Sequence, residues 1–129
     1  MSWHTARLNR DYDVLAPDGS EIRLLVQVGG GSLVHCTLRP GSTTLAVEHR
    51  TVEEVWYCVA GQGQLWRCAD GADEITDLSP GVAVTIPLGA RFQFRASGAQ
   101  PLELVIATMP PWPGAGEALP VQGVWTPTI

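Results

Sequence analysis

Between residues 20 and 109 turn-forming residues interrupt the chain at short intervals, and the intervening segments are rich in Val, Leu, Ile, Thr and aromatics. "EIRLLVQV" (21–28) ends at Gly29-Gly30-Gly31, "SLVHCTLR" (32–39) at Pro40-Gly41, and "TTLAVEH" (43–49) at "RTV". "EEVWYCVA" (53–60) stops before "GQG", "QLWRC" (64–68) before "ADGADE", and "EITDL" (74–78) before the Pro80-Gly81 turn. "VAVTI" (82–86), "RFQFRA" (91–96) and "LELVIATM" (102–109) complete the series. No segment of helical length carries an apolar period of 3.6, which leaves at most one turn near the N-terminus. Many short strands at this spacing predict an all-β sandwich or small barrel.

A chain of 129 residues fits one domain and is long enough to bury roughly two thirds of the surface of its unfolded form. No apolar run approaches the roughly 20 residues needed to span a bilayer, so no membrane partner is expected. The start, "MSWHTARLNRDYDV", lacks the features of a secretory leader, and a cytoplasmic location is expected. Eight arginines, no lysine and a net charge of -5 leave no basic stripe for nucleic acid. Cys36, Cys58 and Cys68 are odd in number and lack CxxC spacing, which reads as reduced thiols in the core. The segment 110–129 is too rich in Pro and Gly for regular structure. Its Trp112 and Trp125 nevertheless predict that it packs against the barrel or a partner subunit.

Residues 40–63 and 81–96 resemble the two sequence motifs of the cupin superfamily. In the first, Gly41 fills the opening glycine, Glu54 the glutamate and Gly61 the closing glycine; in the second, Gly81, Pro87 and Gly89 match. The resemblance implies a double-stranded β-helix, a jelly-roll barrel over about 20–108 within a single domain 1–129. In metal-binding cupins two histidines and the glutamate of the first motif and a histidine of the second converge on one divalent ion. Here Val47 and Phe92 occupy two of those positions, Ala96 replaces a frequent asparagine, and only His49 and Glu54 remain. The resemblance therefore implies a metal site that is degenerate or absent, holding at most a weakly bound divalent ion on His49, Glu54 and water. Two ligands fall short of the three typical of catalytic zinc.

Neighbouring residues do not make up the deficit. Cys58 lies four residues beyond Glu54 on one strand, about 13 Å away at roughly 3.3 Å per residue. Val34, Cys36 and Leu38 alternate inward and send His35 outward, while His4 lies on the N-terminal arm. Glu53 belongs to the face opposite Glu54 and is expected in solvent or against a partner. His49 and Glu54, flanking "RTVE", are expected to direct their side chains into one cavity at hydrogen-bonding or shared-ligand distance, although a simple His–carboxylate pair would satisfy the same pattern.

With Glu54 inward, Trp56 and Cys58 follow it, and Phe94 accompanies Phe92, giving an aromatic interior that reads equally as pocket or as core filling. In "QLWRC" either Gln64, Trp66 and Cys68 or Leu65 and Arg67 face inward, and an inward Arg67 would offer a cation for a carboxylate or phosphate. The leading expectation is a small-molecule-binding cupin whose ligand contacts His49, Glu54, Trp56, Phe92 and Phe94, with the tail closing the pocket. The alternatives are a metal-dependent dioxygenase or isomerase using His49 and Glu54, and a sensor or storage module without catalysis. A homodimer is expected from the need to cover sheet edges, with Trp3 and Tyr12 as contributors.

Overall fold

The computed structural model describes residues 2–129. Eleven strands and no helix form among them: β1 (Val14–Leu15), β2 (Glu21–Val28), β3 (Gly31–Leu38), β4 (Val47–His49), β5 (Glu53–Ala60), β6 (Gly63–Ala69), β7 (Ala72–Leu78), β8 (Ala83–Ile86), β9 (Arg91–Ala96), β10 (Leu102–Met109) and β11 (Ala118–Pro120). They pair antiparallel into two sheets, ordered β1-β2-β3-β10-β5-β8 and β11-β4-β9-β6-β7. The sheets pack face to face as the all-β jelly roll, a double-stranded β-helix. Among the described residues no helix is long and apolar enough to cross a membrane.

Alternation decides which side chains fill the barrel. On β5, Glu54, Trp56 and Cys58 are buried between exposed neighbours, and β10 buries Leu102, Leu104, Ile106 and Thr108 in the same way. Phe92, Phe94, Leu65, Leu78, Ile86 and Leu102 are among the most deeply buried apolar side chains of the core between the sheets. Leu65 is fully buried opposite Phe94, so Leu65 and Arg67 take the inward register on β6. Trp66 faces outward yet is covered, its indole N–H donating to Asp73 Oδ2 (2.9 Å). His35 also points away from the barrel but does not meet water: it is buried, with Nε2 3.0 Å from Glu103 Oε1.

The motif glycines are set by backbone conformation. Gly41, Gly61, Gly81 and Gly89 all have φ between 77° and 98°, the left-handed region that side chains resist. Gly61 has a second constraint, because a Cβ there would lie 2.2 Å from the carbonyl oxygen of Pro101.

Three local expectations need correction. Residues 43–49 do not form one strand. Only Val47–His49 does, because Thr44 N–H bonds to Phe94 O (3.0 Å), Leu45 N–H to Asp18 O (3.0 Å), and Ala46 O accepts from Val121 (3.0 Å), so the backbone is shared among diverging partners. The short β1 was not anticipated. The tail does carry regular structure, since Ala118–Pro120 pairs with Val47–His49 as β11.

Beyond β11 the tail crosses the outer face of the second sheet. There the fully buried Gln93 side chain donates to Thr44 O (2.9 Å) and Trp125 O (2.8 Å) and accepts from the N–H groups of Val124 and Trp125 (both 3.0 Å). Trp125 also lies under Arg95, whose guanidinium carbon is 4.1 Å from the ring centre. Gln93→Ala leaves several of these backbone groups without partners and is expected to cost about 2–3 kcal/mol of stability. Thermolysin should leave the wild-type tail intact and trim that of Q93A; equal trimming in both would show that Gln93 does not hold the tail.

Candidate functional site

Residues 50–52 carry the chain from one sheet to the other. His49 ends β4 in the second sheet and Glu54 is the second residue of β5 in the first, so the two face each other across the barrel interior. Val52, fully buried, anchors the crossing. The turn is clamped by the tail: Glu117 accepts from the Thr51 N–H (2.7 Å) and hydroxyl, and its carbonyl accepts from the Arg50 N–H (3.0 Å).

Between the sheets on this side lies a cavity of about 110 Å³, lined by His49, Glu54, Trp56, Phe92 and Phe94 together with Asp18, Cys36, Ile106, Thr108, Trp112 and others. All five ligand-contact residues expected from the sequence therefore border one space. Asp18 and Thr108 did not stand out, since the "PDGS" turn signalled only a loop. Trp112 lies where a tail packed over the pocket would bring it. Trp112 is half-buried and fastened by its N–H to Ser32 Oγ (3.2 Å). Thr108 is buried and hydrogen-bonded to the hydroxyl of Ser32.

The rings pack edge to face. His49 lies 5.1 Å from Phe92 and 5.2 Å from Trp112 between ring centres, and Trp56 lies 5.6 Å from Phe92 and 5.0 Å from Phe94. His49 and Glu54 make no hydrogen bond or ion pair with each other. They stand on opposed sheets, whose backbones lie roughly 10 Å apart in such packings, and each meets other partners first. Glu54 Oε1 accepts from the Trp56 indole N–H (2.9 Å). His49 Nδ1 is buried without a partner, which leaves Nε2 as the nitrogen able to meet a cavity ligand.

Burial dominates the electrostatics. It raises the Glu54 carboxyl to about 7, against the indole bond that favours the charge and with a further upward push from Asp18. Asp18 is likewise raised by burial, although the Ser20 hydroxyl and N–H hold its Oδ1 (2.7 and 2.9 Å). Burial lowers His49, outweighing the pull of Glu117, so its imidazole is neutral at pH 7. The Cys36 thiol is raised by burial and stays protonated.

Arg67 does not enter this space. Although inward on β6, it bonds Thr85 O (2.9 Å), Glu74 Oε1 (2.8 Å) and Thr76 Oγ1 (2.9 Å), bridging the two sheets. The fixed cation expected from an inward Arg67 is thus neutralised by Glu74 and absent from the cavity lining.

The model of the cupin domain family matches residues 34–108. The chain belongs to the cupin family. Among solved structures it is similar to a mutant of Bacillus subtilis oxalate decarboxylase (TM-score 0.76, 16% identity, covering 94% of this chain and 33% of that one). It is also similar to KdgF from Halomonas sp. (0.65, 19%, 78% and 86%). A third is a double-stranded β-helix domain protein from Klebsiella pneumoniae (0.67, 15%, 87% and 92%). At these identities the likeness is one of fold. No curated protein matches the sequence.

The metal that many cupins carry finds a poor donor set here. Among the described residues no three His, Cys, Asp or Glu side chains gather as a ligand group. Phe92, 2% exposed, places aromatic carbon at the position of the second-motif histidine and packs its ring against His49.

The raised Glu54 has a consequence for stability. The unfolded chain releases this proton near the ordinary 4.5 and the native state only near 7, so the native state binds more protons between those values. Its contribution is present below pH 4.5 and is lost as pH rises through 7, by up to ~3 kcal/mol. Chemical denaturation at pH 5 and pH 8 should show the wild type losing more stability than Glu54→Gln over that interval; parallel losses would contradict the shift.

Proposed function

We propose that this cupin binds a small organic molecule in the cavity between its sheets and does so without a resident metal ion. The observation that supports it most directly is the side chain of Phe92. The family's fourth ligand position is filled by a ring packed edge to face with both His49 and Trp56, so the centre is lined for apolar contact rather than coordination. A small apolar enclosure with a few convergent polar atoms is the usual form of a ligand site. Here those atoms are Glu54 Oε2 and His49 Nε2, neither of which makes a hydrogen bond among the described residues. A carboxyl near 7 facing a neutral imidazole can donate to or accept from a ligand hydroxyl or carbonyl, and can move a proton if the bound molecule calls for it.

Metal analysis of protein purified without chelator or nickel resin tests this reading, and substoichiometric metal is the expected result. Phe92→His restores a third donor at the matching position. For a cavity reshaped around an organic ligand, zinc and manganese affinity should change by less than about tenfold. A stoichiometric ion in the wild type, or a large gain in a normally folded F92H protein, would favour the metal-dependent enzyme instead.

We also propose that the protein is a homodimer. Val55, Tyr57 and Val59 present an exposed apolar row on the outer face of β5, and Trp3 is 83% exposed on the N-terminal arm. Light scattering at tens of micromolar should give the mass of two chains; the mass of one would refute pairing.

A further inference from the structure

The cavity is unusual in its balance of charge. Two carboxyl groups, Asp18 and Glu54, border it, and no arginine or lysine does. Each carboxyl gives one oxygen to the protein. Asp18 Oδ1 accepts from the Ser20 N–H and hydroxyl, and Glu54 Oε1 from the Trp56 indole. The second oxygens, Asp18 Oδ2 and Glu54 Oε2, have no donor among the described residues. Both residues are more than nine-tenths buried. A buried carboxylate with no compensating charge is unfavourable by several kcal/mol, and two facing one space add mutual repulsion.

The other titratable groups bordering this space do not supply the missing charge. His49, across the interior, is kept neutral, and Cys36, on the neighbouring strand β3, remains a thiol. Arg67 is taken up by Glu74 and Thr85. The rest of the lining is mostly aliphatic, with four aromatic rings among it: Trp56, Phe92, Phe94 and Trp112. The faces of such rings attract cations and tolerate apolar groups equally well. Beyond the cavity the chain carries a net charge of -5, which favours the approach of positive ligands.

We infer that the molecule taken by this cavity is an organic cation, an ammonium group on a small apolar body, with the charge held by Asp18 and Glu54 and the body by the aromatic rings. The inference rests on the reading of the cavity as a ligand site and narrows it. An anionic ligand would meet two carboxyls and no counter-charge. A neutral ligand would leave the two carboxyls to be neutralised by bound protons, whereas a cation pairs with their ionised forms directly.

Isobutylamine, isobutanol and isobutyrate carry closely similar branched bodies with a positive, a neutral and a negative head. Binding can be read from the indole N–H resonances of Trp56 and Trp112 in titrations of the intact protein near pH 7.5. The amine is expected to bind at least about tenfold more tightly than the alcohol, with no saturable shift from isobutyrate. In Glu54→Gln and in Asp18→Asn the preference for amine over alcohol should shrink toward unity. Equal affinity for amine and alcohol, tighter binding of isobutyrate, or a preference that survives in both folded variants would overturn the cation assignment and leave the cavity a ligand site. No saturable shift with any of the three would sink the ligand-site reading and this inference together.

Discussion

The crossing at residues 50–52 is the constraint on which the rest of the site depends. A jelly roll must pass its chain from one sheet to the other, and here it does so in three residues, with Val52 fully buried and the Thr51 N–H and hydroxyl held by Glu117. That short passage puts His49 and Glu54 on opposed walls rather than side by side. It separates them enough to leave a space, and the space is what can hold a ligand. A longer, looser connection would let the imidazole and carboxylate find each other and close it.

The fold was legible in the sequence because its signals are local. Each glycine or Pro-Gly pair that ends a strand does so through its own backbone conformation, and each inward side chain follows from a period of two. Hence Glu54, Trp56, Phe92 and Phe94 fall on the face that alternation assigns them. What could not be read depends on distant contacts. β11 exists because Val47–His49 offers it an edge, and Asp18 turns inward because its loop is tied to Leu45. His49 and Glu54 do not pair directly because the two stand on opposed sheets, and the Trp56 indole, two residues along the same strand, meets the carboxylate instead. Arg67 shows the limit of pattern in another way: its inward register was one of two open choices, but its capture by Glu74 across β6 and β7 lies outside any single strand.

This cupin keeps the backbone framework of its family and replaces much of the chemistry inside it. Gly41, Gly61, Gly81 and Gly89 hold the turns in left-handed conformations regardless of what the barrel contains. Val47 and Phe92, by contrast, sit at ligand positions and are plain members of the apolar core. Framework and interior are separable because the turns answer to sterics and the interior to whatever it must hold.

The tail also bears on the order in which the molecule assembles. Thr128 N–H bonds to Thr43 O (3.0 Å), and the Ile129 side chain packs against Gly19, directly beside Asp18. Contacts between residues 85 or more positions apart are slow to form, because a large loop must close before they repay its entropy. The central barrel strands can pair before these contacts exist; the cavity cannot be complete until the loop that carries Asp18 and the tail that carries Trp112 have both packed against them. Its walls are accordingly the region most prone to open within an otherwise folded barrel, and a bound molecule would draw the two distant segments together as it settles.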